Sequence, residues 1–453
     1  MPDDVAVHPG LDAVAARPPA AQTADATAAA GAGLVNRDFV LLWQGQLVSQ
    51  LGNQAFLVAM MFWVMDATGS AAVMGALLMG ASLPVVLLGP LGGTLADRHS
   101  RRAIIVVSDA LRGLAGLLFV ALLYTPAAST TLRLGALFAV AVFGGVVSAV
   151  FQPAVAAAIP DVVPRERLAA ANSLNQLSIQ GAAVVGQALG GVLLRVLGAP
   201  LLFLADAVSF LVAGAAALFV RIPRPLARTR SRTVAPAARS YFDDTIEGLR
   251  FVWAHPGMRG FLAGAASLNL FFMPVFVLLP FYVTEVLSRG AEWYGFLLAG
   301  VSGGSLIGVV SAGVLQRTRA AAGGLVAAMV VTPLAYGVLG GIDRPLVAVG
   351  VCALIGASVG LINVSVITLF QLGSRPEIRG RVMSVVISVS GAAAPAGMAL
   401  GGVLGDLTGK NVPLIFAACG VLAFMAVLGV VAKPAVRAFL GGGRSAATAE
   451  AAG

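Results

Sequence analysis

The sequence predicts an all-α membrane protein whose twelve transmembrane helices form two pseudo-symmetric six-helix bundles. Three observations predict it: an apolar composition, the spacing of the apolar runs, and an internal repeat. Of 453 residues, 58% are hydrophobic and only 11% charged, with a mean hydropathy of +0.93. Soluble domains carry about 25% charged residues. A soluble chain of this length would also divide into about two or three ordinary cores, and no polar stretch is long enough to wrap them. Lipid must therefore solvate the outside.

Apolar runs of the roughly 20 residues needed to cross a bilayer fall at about 39–65, 72–95, 103–124, 132–156, 170–194, 200–220, 259–284, 293–315, 322–341, 345–371, 381–404 and 412–432. Residues 1–36 have no apolar period and no basic start leading into an apolar core, so they read as a disordered cytoplasmic tail rather than a signal peptide. Residues 37–220 form the N-terminal bundle and 259–432 the C-terminal bundle. Between them, 221–258 is an arginine-rich cytoplasmic loop, with an amphipathic helix expected near Phe242–Trp253. Residues 433–453 form a second cytoplasmic tail.

Cytoplasmic loops accumulate Lys and Arg. With both termini inside, 23 of the 29 basic residues fall on the cytoplasmic side and five on the other, with Arg112 inside a span. This asymmetry predicts a multi-pass plasma-membrane protein with both termini cytoplasmic. It also accounts for the net charge of +9 without a nucleic-acid partner. Cys352 and Cys419 lie in apolar runs, the three histidines are scattered, and no nucleotide fingerprint or P-loop lysine motif occurs. No cofactor or metal is expected, and there is no room for a nucleotide-hydrolysing domain.

The third observation is the repeat. Gly186-Gln187-Ala188-Leu189-Gly190-Gly191-Val192-Leu193 in the fifth span matches Gly397-Met398-Ala399-Leu400-Gly401-Gly402-Val403-Leu404 in the eleventh, differing at one position. Gly93-Thr94-Leu95-Ala96-Asp97-Arg98 rhymes with Ala312-Gly313-Val314-Leu315-Gln316-Arg317, and spans four and ten both end in Phe-Gln (Phe151-Gln152, Phe370-Gln371). Three matches in one order, half a chain apart, indicate duplication of a six-helix unit. Such repeats place a site at the midplane between halves.

Gly93-x-Leu95-Ala96-Asp97-Arg98-x-Ser100-Arg101-Arg102 resembles the signature loop of the major facilitator superfamily, with Ser100 where glycine is usual. Four further pieces resemble the superfamily's siderophore and macrolide exporters. They are Arg37-Asp38-Phe39-x-x-Leu42-Trp43-x-Gly45-Gln46, Phe151-Gln152-Pro153-Ala154, Asp206-Ala207-x-Ser209-Phe210 and Arg379-Gly380-Arg381-Val382-Met383. The resemblance runs from residue 37 to about 432. It implies that Gly93, Asp97, Arg98 and Arg101 form a gating latch, with Asp97 facing the start of span eleven near Gly380–Met383. There the unpaired backbone N–H groups leave a partial positive charge. Arg102 reads instead as a solvated loop charge.

Three ionisable residues at membrane depth are coupling candidates. Asp109 and Arg112 stand three apart on one face of span three and are expected to pair; their role is either structural or proton-carrying. Asp206 in span six has no basic neighbour in sequence, so it either exchanges a proton or caps the outer part of its helix and stays wetted. Gln46, Gln50 and Asn53 share one face of span one, and Gln176, Gln180 and Gln187 one face of span five. With Asn269 and Asn363 they are candidates for lining a substrate cavity, the alternative for each being inter-helix hydrogen bonding. The resemblance would put an acid where Asn53 stands and a proline at Gln187; both departures bear on proton antiport.

The resemblance implies a secondary transporter, a monomer working by alternating access, that exports a small amphipathic or apolar molecule by proton antiport across the lipid bilayer. The rival expectations are an uptake permease or uniporter, and a non-transporting receptor or lipid-directed enzyme. Against an enzyme, no nucleophile–base pair stands at membrane depth.

Overall fold

A computed structural model of the chain describes residues 36–222, 246–316, 318, 320–375 and 378–440. Among them are twelve helices long and apolar enough to cross a membrane. These are α1 (Arg37–Thr68), α2 (Ala71–Arg98), α3 (Arg101–Leu123), α4 (Thr130–Val162), α5 (Leu168–Leu197) and α6 (Ala199–Leu218), then α7 (Pro256–Phe281), α8 (Ala291–Leu315), α9 (Ala321–Leu339), α10 (Pro345–Leu372), α11 (Arg379–Leu407) and α12 (Val412–Val431). The helix starts are chemically marked. Asn36, Ser70, Ser100, Ser129 and Asn411 each accept a hydrogen bond from the backbone N–H three residues on. Proline opens α6, α7, α10 and α12, where its missing N–H costs nothing. These caps set boundaries a few residues from those read from hydropathy, as at Arg37 and Pro256.

The two halves pack alike. In the first, α1 lies against α5 and α6, α2 against α4, and α3 against α4 and α6. In the second, α7 lies against α11 and α12, α8 against α10, and α9 against α10 and α12. The halves meet along two seams, α2–α11 and α5–α8. With six spans each, both halves begin and finish at one end of the molecule, called here the near end.

The seams are tight only at the far end. A Cβ added to Gly75 would lie 2.4 Å from the Met398 carbonyl oxygen, and one added to Gly295 would lie 2.4 Å from that of Gln187. Midway, Gly391 would meet Val86 at 3.8 Å and Gly303 would meet Val184 at 3.9 Å. At the near end Gly93 and Gly380 face open space. Apolar packing follows the same gradient. One core in the far half is shared by both bundles, joining Phe62, Phe119 and Phe203 to Tyr282, Tyr294 and Phe416. Toward the near end each bundle keeps its own core, around Phe151 and Ile105 in one and Phe261 and Phe370 in the other. The molecule is shut at the far end and parted at the near end.

Two short helices were not fully legible in the sequence. Residues 246–254 form one; the first part of the expected Phe242–Trp253 helix lies outside the described residues. Residues 434–440, expected as tail, form another that seats Val436 against α7 at Gly260.

Candidate functional site

A cavity of about 280 Å³ opens at mid-depth within the N-terminal half. Its α1 wall is the polar stripe Gln46, Gln50 and Asn53; α3 contributes Arg112, α6 Asp206, and Phe143, Phe151 and Phe210 supply aromatic surface. Amides on one wall and rings on the others suit a ligand held by apolar contact with a few directed hydrogen bonds.

Arg112 organises the polar corner. Its Nη2 donates to Ser148 Oγ at 2.8 Å, and its guanidinium carbon lies 4.4 Å from the Phe151 ring centroid and 5.4 Å from that of Phe210. The expected Asp109–Arg112 ion pair is not formed. Three-residue spacing places both on one face, but Ser148 and Phe151 draw the guanidinium toward α4. Asp109 instead packs under α6 at Gly214, where an added Cβ would lie 3.2 Å from its own Cβ. Asp109 is fully buried with neither carboxyl oxygen hydrogen-bonded.

Asp206 is 7% exposed, and its Oδ1 has no partner. It lies seven residues beyond the start of α6, roughly 10 Å into the helix, so it does not stay wetted at the outer end. Glycine on α1 makes the fit possible: a Cβ on Gly52 would lie 2.5 Å from Ser209 Oγ and 3.1 Å from Asp206 Oδ1. Arg112 is within electrostatic range of both Asp109 and Asp206. Buried carboxyl oxygens without a hydrogen-bond partner are costly at membrane depth.

The other expected lining groups divide. Gln187 borders a second cavity of about 130 Å³ with Phe272, Phe276 and Cys352, and its amide bridges the α5–α8 seam, 3.0 Å from the Gln54 amide and 2.8 Å from Ser302 Oγ. Gln176 and Asn363 are exposed, Gln180 is half-buried, and Asn269 donates to the Ala265 carbonyl within its own helix. None of these four lines either cavity.

Of the expected latch residues, Arg101 turns into its own bundle. The side chain of Asp97 lies outside the described residues, as do Arg317 and Arg319. Arg101 pairs with Asp161 and donates to the Ala157 carbonyl at 2.8 Å, both on α4 of its own bundle. Arg102, expected as a solvated charge, donates to the Leu218 carbonyl at the end of α6. Glu247 of the connecting helix lies 2.5 Å from Arg381, and Gly248 packs on the Arg381 carbonyl, so that helix covers the first turn of α11. The side chain of Asp97, on which the expected latch turns, is outside the described residues, and Gly93 and Gly380 have no neighbour within 4 Å of an added Cβ.

Sequence reasoning missed Ser148 and the two rings as the partners of Arg112. It also missed Asp406 on α11, which accepts hydrogen bonds from Ser70 and from the backbone of Ala71 and Ala72. A signal for Asp406 existed: it stands in the repeat where Arg195 stands in the first copy.

Comparison with known proteins agrees with this geometry. The family of transmembrane secretion effectors matches residues 28–440. Macrolide efflux protein A of Streptococcus pyogenes is 24% identical over 375 residues, covering 82% of this chain and 90% of that one. The multidrug efflux pump Tap of Mycolicibacterium fortuitum is 27% identical over 403 residues, covering 87% and 94%. Among solved structures, a bacterial homologue of the iron transporter ferroportin in an inward-facing state superposes with a TM-score of 0.68 at 19% identity, covering 88% of this chain and 99% of that one. The nucleoside transporter NupG gives 0.67 at 11%, covering 87% and 100%. The chain belongs to the transmembrane secretion effector family of major facilitator superfamily transporters.

Proposed function

We propose that this transporter exports a small, largely neutral amphipathic molecule from the cytoplasm in exchange for protons, by alternating access. The observation that carries this is the cavity itself, where an amide stripe and aromatic walls meet the unpaired Asp206 carboxyl and Arg112. A cargo filling it would press its apolar surface on Phe143, Phe151 and Phe210 and hydrogen-bond to Gln46, Gln50 or Asn53. Asp206 borders the same space, so proton and cargo compete for one site. Binding of one releases the other, which is the exchange antiport requires.

Macrolide and multidrug efflux by the relatives named above support cargo of this class. The excess of Lys and Arg at the near end supports a cytoplasmic placement of that end and of both termini. The parted near end is then the side from which cargo enters. Asp109 lies one layer behind the cavity, where α3 packs on α6 at Gly214, and no residue is given a catalytic role. The cavity is lined within one chain, which supports a monomer as the working unit.

Reconstituted vesicles test this. Macrolide efflux from loaded proteoliposomes should accelerate when the outside is made acidic so that protons run inward, and Asp206→Asn should abolish the acceleration while leaving downhill flux. Equal flux with and without the gradient in the parent would refute proton exchange, and uptake against the gradient would favour an importer.

A further inference from the structure

The repeat makes positions 195 and 406 equivalent, since each lies four residues beyond the second glycine of its pair, Gly191 or Gly402. The structure makes their surroundings equivalent too. A Cβ on Gly191 would lie 2.7 Å from the Ala291 carbonyl of α8, and one on Gly402 would lie 2.7 Å from the Ala71 carbonyl of α2. At both places a charged side chain reaches across the seam. Arg195 meets Glu292 at 2.9 Å, but its side chain is 71% exposed. Such a pair stabilises little.

Asp406 does something different at the matching place. One carboxylate oxygen accepts from Ser70 Oγ at 2.5 Å and from the Ala72 N–H at 3.1 Å; the other accepts from the Ala71 N–H at 2.8 Å. Ser70 in turn accepts from the Val73 N–H as the cap of α2. The carboxylate of one bundle thus satisfies the free N–H groups at the start of a helix in the other, where the helix dipole favours negative charge. Lys410, the charged neighbour in the same turn, holds its ammonium over the Phe281 ring, 5.4 Å from the centroid.

We infer that Asp406 is the lock of the far gate: a positioning residue that holds the far end shut by clasping the first turn of α2, and that must let go before the cavity opens to that side. The lock goes beyond the proposed export function. It rests on alternating access but needs neither a particular cargo nor protons. Both contacts are charged and exposed, but Asp406 holds three donors at the start of α2 where Arg195 meets one carboxylate, so the gate opens by releasing α2 from α11.

Spin labels at Ala127→Cys, between α3 and α4, and Leu346→Cys, in the first turn of α10, stand at the far ends of opposite bundles and report opening in a background carrying Cys352→Ala and Cys419→Ala. Asp406→Ala should raise the open-to-closed ratio about fivefold, the effect of losing a good helix cap. Asp406→Asn, which keeps an acceptor but no charge, should fall between. Arg195→Ala should change the ratio less than twofold. Unchanged populations in a folded Asp406→Ala protein overturn the lock, as does an equal effect of Arg195→Ala. If Asp406→Ala does not fold, Ser70→Ala, which removes the hydroxyl's donation to Asp406 together with its cap on the Val73 N–H, should shift the ratio the same way; no shift there also overturns it. A parent that never populates a longer distance, in any condition, would instead count against alternating access.

Discussion

Two glycines on α2 separate a conformational effect from a folding effect, using the same substitution. In Gly75→Ala the new methyl carbon would stand 2.4 Å from the Met398 carbonyl oxygen, where 3.4 Å begins ordinary contact. Neither backbone can give way locally, so the α2–α11 seam must part by about 1 Å. Overpacking of this kind costs about 1–3 kcal/mol, and a gap of that size forfeits a quarter to a half of the dispersion attraction of each atom pair along it. The cost falls on the closed far gate alone, because α2 stays packed on α4. The open-to-closed ratio should therefore rise by roughly 5- to 150-fold.

Gly92→Ala places its methyl 1.9 Å from the Ala149 carbonyl oxygen, inside the α2–α4 contact of one bundle. No rigid-body movement relieves that clash, so the melting temperature should fall and the gate should be unaffected. The assay is the labelled pair at 127 and 346, with thermal unfolding measured in the same detergent. If Gly75→Ala left the distances unchanged and lowered the melting temperature as much as Gly92→Ala, the far seam would not be the gate.

Other outcomes follow from the same contacts. Gln187→Met makes the two copies of the octapeptide identical and removes the bridge from Gln54 to Ser302; it should loosen the α5–α8 seam and change the cargo range, read as altered resistance across a drug panel. Asp161→Asn removes the partner of Arg101 at the near end of α4; it should cost about 1 kcal/mol of stability, read by thermal unfolding, without altering coupling. Gly52→Val drives α1 into Ser209 and Asp206, so transport should be lost in a protein that still reaches the membrane; wild-type flux would show that the α1–α6 fit is not needed.

Much of this was legible in the sequence because it depends on one-dimensional signals. Twelve spans follow from apolar run length, and the pairing of halves follows from the repeat, of whose glycines Gly191 and Gly402 fall at the seams while the other four pack on α1 or α7. The α1 stripe was legible because seven residues of helix return to one face. The corner around Arg112 was not. Helical spacing puts Asp109 beside it, but the choice of Ser148, Phe151 and Phe210 depends on which helix stands opposite, and no period in α3 encodes that. The span-five stripe divides for a related reason. Its face passes from the cavity level at Gln187 to exposed surface at Gln176, so one stripe serves two environments. Asp406 sits near the end of a span, where a loop charge would be unremarkable; only its contacts across the seam distinguish it.

The glycine seams carry a thermodynamic consequence for turnover. Where Gly75 meets Gly402 and Gly191 meets Gly295, backbone touches backbone. Closing such a surface freezes no side-chain rotamers, whereas burying a long side chain costs up to about 2 kcal/mol of conformational entropy each time. Opening it likewise exposes little apolar surface for lipid or water to solvate. The glycine contacts thereby add little to the free-energy difference between the shut and open forms, which is left to the apolar core the two bundles share at the far end.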